Sequence, residues 1–426
     1  MAAFPLPRWW ARRLEGPSGS AWCRTALATE PSLEGSLQAL GRQLRGVGAA
    51  DLALVFVSAT YASDLPRLLP LLRQRFRARH WIGCLGGGVV GTPAGGESRE
   101  LEREPGVSLT LLRLPGATLM PFAIDNGTLP DLDGPAEPWL SLLGHPDPAT
   151  NAAMLLLIDP GFPAINDLIS GLDYACPGSA KVGGIAGQHS APHGSLLFDD
   201  RVCSGAVGCL IGGAWGLDPV VAQGCRPIGP VFEVEQAQRN VVLEVSQNNR
   251  RNSPVAALQE ILTGLSAEER DLVKHSLFLG VGRNSFSLEG RSSEEPPTFL
   301  VRNLIGVDPR NGAVAVAERM RIGQQVQFQL RDASASRQEL RQLLRHQHSN
   351  EPAPLAALLF ACLGRGQGLY GEPNGDVSLC RECFGDLPVG GAFCNGEIGP
   401  IGGSTHLHGY TASWGFVVPR RGGTGA

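Results

Sequence analysis

Apolar residues fall along this chain in two periods, and the switches between them mark out its elements. From Ser32 to Leu44 they recur at helical spacing, at Leu33, Leu37, Leu40 and Leu44, which predicts a first helix. Asp51 to Val57 (DLALVFV) is short, continuous and rich in strand formers, so it reads as a buried strand. Leu65, Leu68, Leu69, Leu72 and Phe76 then draw one apolar face of a helix running to about Arg79. His80 to Cys84 leads into Gly86-Gly87-Gly88, and Gly106 to Leu112 supplies a further strand.

The same order returns one hundred positions later. Ala153 to Ile158 stands where Ala53 to Ser58 stood, and Ile165, Leu168, Ile169 and Leu172 take the places of Leu65, Leu68, Leu69 and Leu72. Val182-Gly183 matches Ile82-Gly83, Gly187 matches Gly87, and Cys203 to Ile211 is the later strand. A third, looser copy runs from strand Leu355–Leu363 through helix Asp376–Phe384 and Gly390-Gly391 to strand Thr411–Val418. The pattern therefore predicts an internal duplication of a strand, helix, Gly-Gly, strand unit, with the Gly-rich turns gathered on one side.

Between the second and third copies the period is that of a two-faced sheet. Val231 to Glu235 and Val241 to Val245 alternate; Phe278 to Val281, Phe299 to Arg302 and Gln325 to Leu330 continue as strands. Pro254 to Leu265 and Ser334 to His346 read as helices, the first with proline in its opening turn. The fold class is α/β in the mixed α+β sense, with twisted mixed sheets and packed helices.

Bulk properties narrow the function. The net charge of −4 gives no electrostatic footprint for nucleic acid and no polybasic membrane anchor. No apolar run reaches the length of a membrane span. Gly 56 and Pro 32 exceed ordinary usage beside normal apolar content, which points to many turns in a folded chain. Ten scattered cysteines without a secretion signal suggest reduced thiols and a cytoplasmic location. Residues 1–21 read as a mobile tail, with a transit peptide as the alternative, and 421–426 as a second tail.

The richest candidate chemistry lies in 354–419. There Arg365, Tyr370, Asn395, Glu397, His406, His408 and Tyr410 interrupt a dense series of glycines that includes Gly402 and Gly403. Glycine admits close backbone approach, so a concave site with convergent polar groups is one explanation; tight turns between strands are the other. Arg365 can fork onto a carboxylate and Glu397 can accept an ammonium, which suits an amino-acid-like ligand; alternatively the two pair with each other. His406 and His408, two apart on a strand, face the same side. Cys380 and Cys383 form a C-x-x-C pair flanked by Cys362 and Cys394, with irregular spacing for a metal, so buried structural thiols or a redox pair are the readings. The glycine run at 83–91 follows a helix and lacks the strand-to-helix context of a dinucleotide loop. No G-x-S-x-G, H-E-x-x-H, Walker or kinase pattern occurs.

Several of these stretches resemble the C-terminal half of FIST domains: Cys362-Leu-Gly-Arg365-Gly366, Leu369-Tyr370-Gly371, Gly396-Glu397-Ile-Gly-Pro400-Ile-Gly402-Gly403 and Leu407-His408-Gly-Tyr410-Thr411. Arg302 to Asp308 and Val326 to Ala333 resemble the family's middle segment, so the likeness spans about residues 22–418. The resemblance implies an intracellular sensory module that binds a small ligand, with an N-terminal-type domain over 22–230 and a C-terminal-type domain over 231–420. Together with the polar residues among the glycines, it points to Arg365, Tyr370, Asn395, Glu397, Gly402, Gly403, His408 and Tyr410 at the ligand. No output segment is legible in the chain, so a separate partner protein reads the signal or the protein does not signal. Haem, as in nitric-oxide sensors of this type, and an enzyme using Glu397 and His408 as acid and base are the alternatives.

Overall fold

The computed structural model describes residues 20–144, 152–283, 299–350 and 352–420; the two terminal tails expected from sequence lie almost wholly outside these. The three predicted copies are three six-stranded sheets of one design. In the first, the central strand Ala50–Ser58 runs parallel to Ala78–Gly86, reached through helix Leu65–Arg75, and antiparallel to the return strand Val107–Arg113. The second repeats this with Ala153–Ile158, Lys181–Ile185 and Ala206–Gly213, and the third with Ala356–Cys362, Val389–Cys394 and Ala412–Pro419. An outer strand flanks each return strand: Trp22–Ala28, Ala117–Ile124 and Trp215–Ala222.

Each sheet is completed by a hairpin from a different unit. Leu196–Phe198 and Arg201–Cys203 of the second unit close the first sheet. Glu397–Ile401 and Ser404–His408 of the third close the second, and Gly88–Gly91 with Arg99–Leu101 of the first close the third. The exchange runs in a ring, so the edges of the parallel strands are covered without exposing any of them. Leu54, Phe56, Leu155, Leu157, Leu358 and Phe360 meet in one core between the sheets, while the amphipathic helices cover the outer faces. Burying one such side chain stabilises by about 1.5–3 kcal/mol.

The glycines of the repeat are where the ring is tightest. A Cβ on Gly83, Gly183 or Gly391 would stand 1.9, 1.8 or 1.9 Å from the carbonyl oxygen of Val55, Leu156 or Leu359 on the neighbouring central strand. These contacts align Val55 with Leu156, so the second strand is offset from the first by 101 residues rather than the 100 expected. The helix and glycine keep the offset of 100. One residue fewer joins strand to helix in the second unit, and in a period-two element that single step reverses which side chains face inward. The predicted gathering of Gly-rich turns is a closed backbone junction. Gly87 N–H donates to Phe393 C=O at 2.9 Å, Gly187 N–H to Leu85 C=O at 2.7 Å and Asn395 N–H to Ile185 C=O at 3.0 Å.

Between the third unit's outer strand and its first helix, Ala333–Ser349, lies a second body. Strands Phe232–Gln238, Val241–Gln247, Ala313–Val316, Phe299–Asp308, Leu277–Gly282 and Gln325–Arg331 pair antiparallel in that order, and the last returns to the first. This is a closed barrel around Val234, Val281, Val316 and Leu330, with helices Pro254–Thr263 and Ala267–Ser276 beside it. Residue 230, the expected domain boundary, lies between the third unit's outer strand and the barrel strand Phe232–Gln238. Helix Ala267–Ser276 was not anticipated; Ser266 and Glu269 cap it reciprocally, a signature present in the sequence.

Candidate functional site

Barrel and ring meet along the free edge of strand Ser404–His408. Gly402 and Gly403, with φ of 60° and 84°, form the two-residue turn of its hairpin, where both central positions need positive φ. The expected Gly-rich loop is thus a hairpin, and its glycines turn the chain. The edge groups are capped by side chains: Asp173 accepts from Thr405 N–H at 2.6 Å and Thr405 Oγ1 at 2.7 Å, and Arg302 donates to Leu407 C=O at 2.6 Å.

Beside that edge opens a cleft of about 680 Å³, a size ordinary for small-molecule sites. Helix Ile165–Ala175 supplies Asn166, Ser170 and Asp173; the barrel supplies Arg283, Arg302 and Glu318; the hairpin supplies His406 and His408. Glu318 accepts from Arg283 and from Arg302, each at 2.5 Å. Burial opposes its ionisation, but the two guanidiniums outweigh that and hold its carboxyl below the usual range. Asp173 is paired at 2.7 Å with Lys181, a fully buried lysine whose ammonium also donates to Cys176 and Ser179 carbonyls.

Both imidazoles are held neutral. His406 is pushed down to about 4, by burial first and then by Arg283 and Arg302. Burial pushes His408 down to about 3, against its bond with Gly399 C=O at 3.0 Å. Their rings lie 6.1 Å apart on one side of the strand, as the spacing predicts. His406 Nε2, His408 Nδ1 and Arg283 Nε are buried without a hydrogen-bond partner. Buried polar atoms left unsatisfied are costly, and these three collect beside one cleft.

The other candidate residues are placed differently. Arg365 is sealed from solvent and forks onto Asp376, 2.9 Å from Nε to Oδ2 and 2.7 Å from Nη2 to Oδ1. It also donates to Tyr370 Oη at 2.6 Å and Ser336 Oγ at 3.0 Å. Neither form of the Arg365–Glu397 reading matches this geometry: the arginine's partner is Asp376, missed because it sat in a predicted helix. Tyr370 donates to Asp376 Oδ1 at 2.7 Å and belongs to the same cluster.

Glu397 is fully buried beside His408, its directly opposed partner across the hairpin. Oε2 accepts from Thr411 N–H at 3.1 Å and Oε1 has no partner. Burial raises its pKa well above the carboxylate range. An acid–base pair needs contact with substrate, and the Glu397 side chain is wholly enclosed. Asn395 donates to Ala186 C=O at 3.0 Å in the junction of the ring. Tyr410, at φ 63°, stacks under Arg331 at 4.2 Å and meets Phe278 edge-on at 5.0 Å, joining ring to barrel.

Of the eight residues named from sequence, His408 alone lines the cleft. Asp173, Lys181, Arg283, Arg302 and Glu318 were not singled out. The signal available was Lys181, a charge inside an apolar strand pattern. Burial pushes the Cys380 thiol up to about 12 and raises that of Cys383, so neither has the thiolate character a redox pair requires. Haem fits the cleft poorly: its wall is mostly polar side chains, where a porphyrin face needs apolar cover.

The chain is a ring of three hairpin-exchanging α/β units carrying an inserted barrel, with a polar cleft between them. The FIST N domain profile matches residues 51–248 and the FIST C domain profile residues 254–400. The chain belongs to the FIST family. It is 34% identical over 382 residues to an uncharacterized protein of Mycobacterium tuberculosis, spanning 87% of this chain and 92% of that one. It is 33% identical over 410 residues to an uncharacterized protein of Mycobacterium bovis, spanning 94% and 98%. An F-box/LRR-repeat protein of Arabidopsis thaliana shares 38% over 137 residues, 31% of this chain and 26% of that protein. FIST domains are a sensory, ligand-binding family. Among the described residues no helix is long and apolar enough to cross a membrane.

Proposed function

We propose that this protein is a small-ligand sensor whose ligand sits in the cleft between helix Ile165–Ala175, strand Ser404–His408 and the barrel, with its state read by a separate partner protein. One observation carries the reading: three unpartnered buried polar atoms, on His406, His408 and Arg283, collect at a single cleft that both family segments build. A ligand supplying their hydrogen bonds would bind the folded chain alone and raise its stability, by about 2.7 kcal/mol at a hundredfold excess over Kd. The amino-acid-like ligand suggested by Arg365 and Glu397 loses that support, since both side chains are closed off from solvent.

The test is a thermal-shift screen of small polar metabolites on wild-type protein and on His406→Ala. A metabolite that raises Tm in the first and not in the second supports the cleft. The reading fails if every stabilising metabolite acts equally on both.

A further inference from the structure

The charges of the cleft are not evenly available. Its two carboxylates are both already paired with cations. Glu318 gives one oxygen to Arg283 and the other to Arg302. Asp173 accepts from Lys181 and Thr405 Oγ1 through Oδ1 and from Thr405 N–H through Oδ2. An ammonium group entering the cleft would share carboxylate oxygens whose charge is already offset by a guanidinium or by Lys181. Donors are in the opposite position. Arg283 Nε is buried and unpartnered, and Arg319, Asn166, Ser170 and Asn303 line the same wall.

Charge agrees with this count. The lining carries Arg283, Arg302 and Arg319 against Glu318 and Asp173, and the buried Lys181 cancels Asp173. The cleft is therefore cationic by two charges. The same field acts on His406, where Arg283 and Arg302 add to burial in keeping the imidazole unprotonated. Arginine forks match carboxylate and phosphate oxygens, and a neutral imidazole adds one further hydrogen bond.

Resting on the sensor reading above, we infer that the ligand is a small dianion, carrying two carboxylates or a phosphate group, and not a zwitterion. Its acid groups meet Arg283 and Arg319, with His406 Nε2 as a neutral hydrogen-bonding neighbour.

The experiment uses the full chain and four probes: succinate, inorganic phosphate, acetate and glycine, each titrated by calorimetry at low and at 0.3 M salt. The expected result is binding of succinate or phosphate, at least tenfold weaker for acetate and glycine, and weakened by salt. Succinate against phosphate distinguishes the two sources of dianion. Arg283→Gln and Arg319→Gln, checked for native circular dichroism, are expected to weaken the dianion at least tenfold. Preference for glycine, lost in His406→Ala, overturns the dianion and leaves the sensor cleft standing. Dianion binding indifferent to both arginine variants and to His406→Ala overturns the site itself. Absence of binding by all four probes, with no metabolite carried through native mass spectrometry, overturns both.

Discussion

Arg365 and Asp376 hold each other by two parallel hydrogen bonds with neither side chain reaching solvent. Nη2 also donates to Tyr370 Oη and Ser336 Oγ, Tyr370 donates to Asp376 Oδ1, and Nη1 donates to Tyr410 C=O at 3.4 Å, so the pair is embedded in a polar cluster. Removing one partner strands the other charge in a medium that cannot solvate it. Asp376→Asn is expected to cost about 3–5 kcal/mol, read from urea unfolding midpoints. A loss below about 1 kcal/mol would show that water reaches the guanidinium.

The two histidines of the cleft set an acid limit. Their folded pKa values, about 4 and about 3, lie below the ordinary value of 6.5. Below pH 6.5 the unfolded chain takes up two protons that the folded chain refuses, so stability falls as pH drops from 6.5 towards 4. The double variant His406→Gln, His408→Gln should flatten Tm against pH across that window. An unchanged slope would assign acid sensitivity elsewhere.

Glu100 sets a limit of the opposite sign. It reaches from the exchanged hairpin of the first unit to the helix of the third, where Oε1 accepts from Val377 N–H at 2.7 Å and Oε2 is unpartnered. Burial, with Asp376 nearby, pushes its pKa up to about 8. Between pH 4.5 and 8 the folded state keeps a proton the unfolded state has released, so this residue's contribution declines as pH rises. Glu100→Gln keeps the acceptor and cannot ionise. It should raise Tm at pH 8.5 relative to wild type and leave it little changed at pH 5.

Glycine positions separate sharply. Gly183→Ala or Gly391→Ala drives a methyl into a carbonyl oxygen and should abolish soluble expression. Gly368→Ala meets nothing within 4 Å and should be neutral or gain a few tenths of a kcal/mol. Soluble, cooperative unfolding of Gly183→Ala would mean the strands separate more easily than their register implies.

The repeat was legible in the sequence because it is written locally: Leu65, Leu68, Leu69 and Leu72, and Gly83 and Gly183, carry the period and the close approach within one unit. The exchange of hairpins was not, since Phe393 accepting from Gly87 and Ile398 beside Gly183 are pairings between residues hundreds of positions apart. The site shows the same division. His406 and His408 face one side because strand geometry fixes it. Arg283, Arg302 and Glu318 come to that side only through closure of the barrel. Arg365 looked functional because a charge among glycines is conspicuous, yet its partner lay eleven residues on, within a helix whose face the pattern could not orient.

The ring also constrains how the chain comes off the ribosome. The hairpin Gly88–Gly91, Arg99–Leu101 pairs with Val389–Cys394, which is made about three hundred residues later. At about 5–20 residues per second, that hairpin waits at least fifteen seconds without its strand partner, exposing Val89 and Val90 meanwhile. A nascent chain of this kind depends on being shielded until its last third emerges.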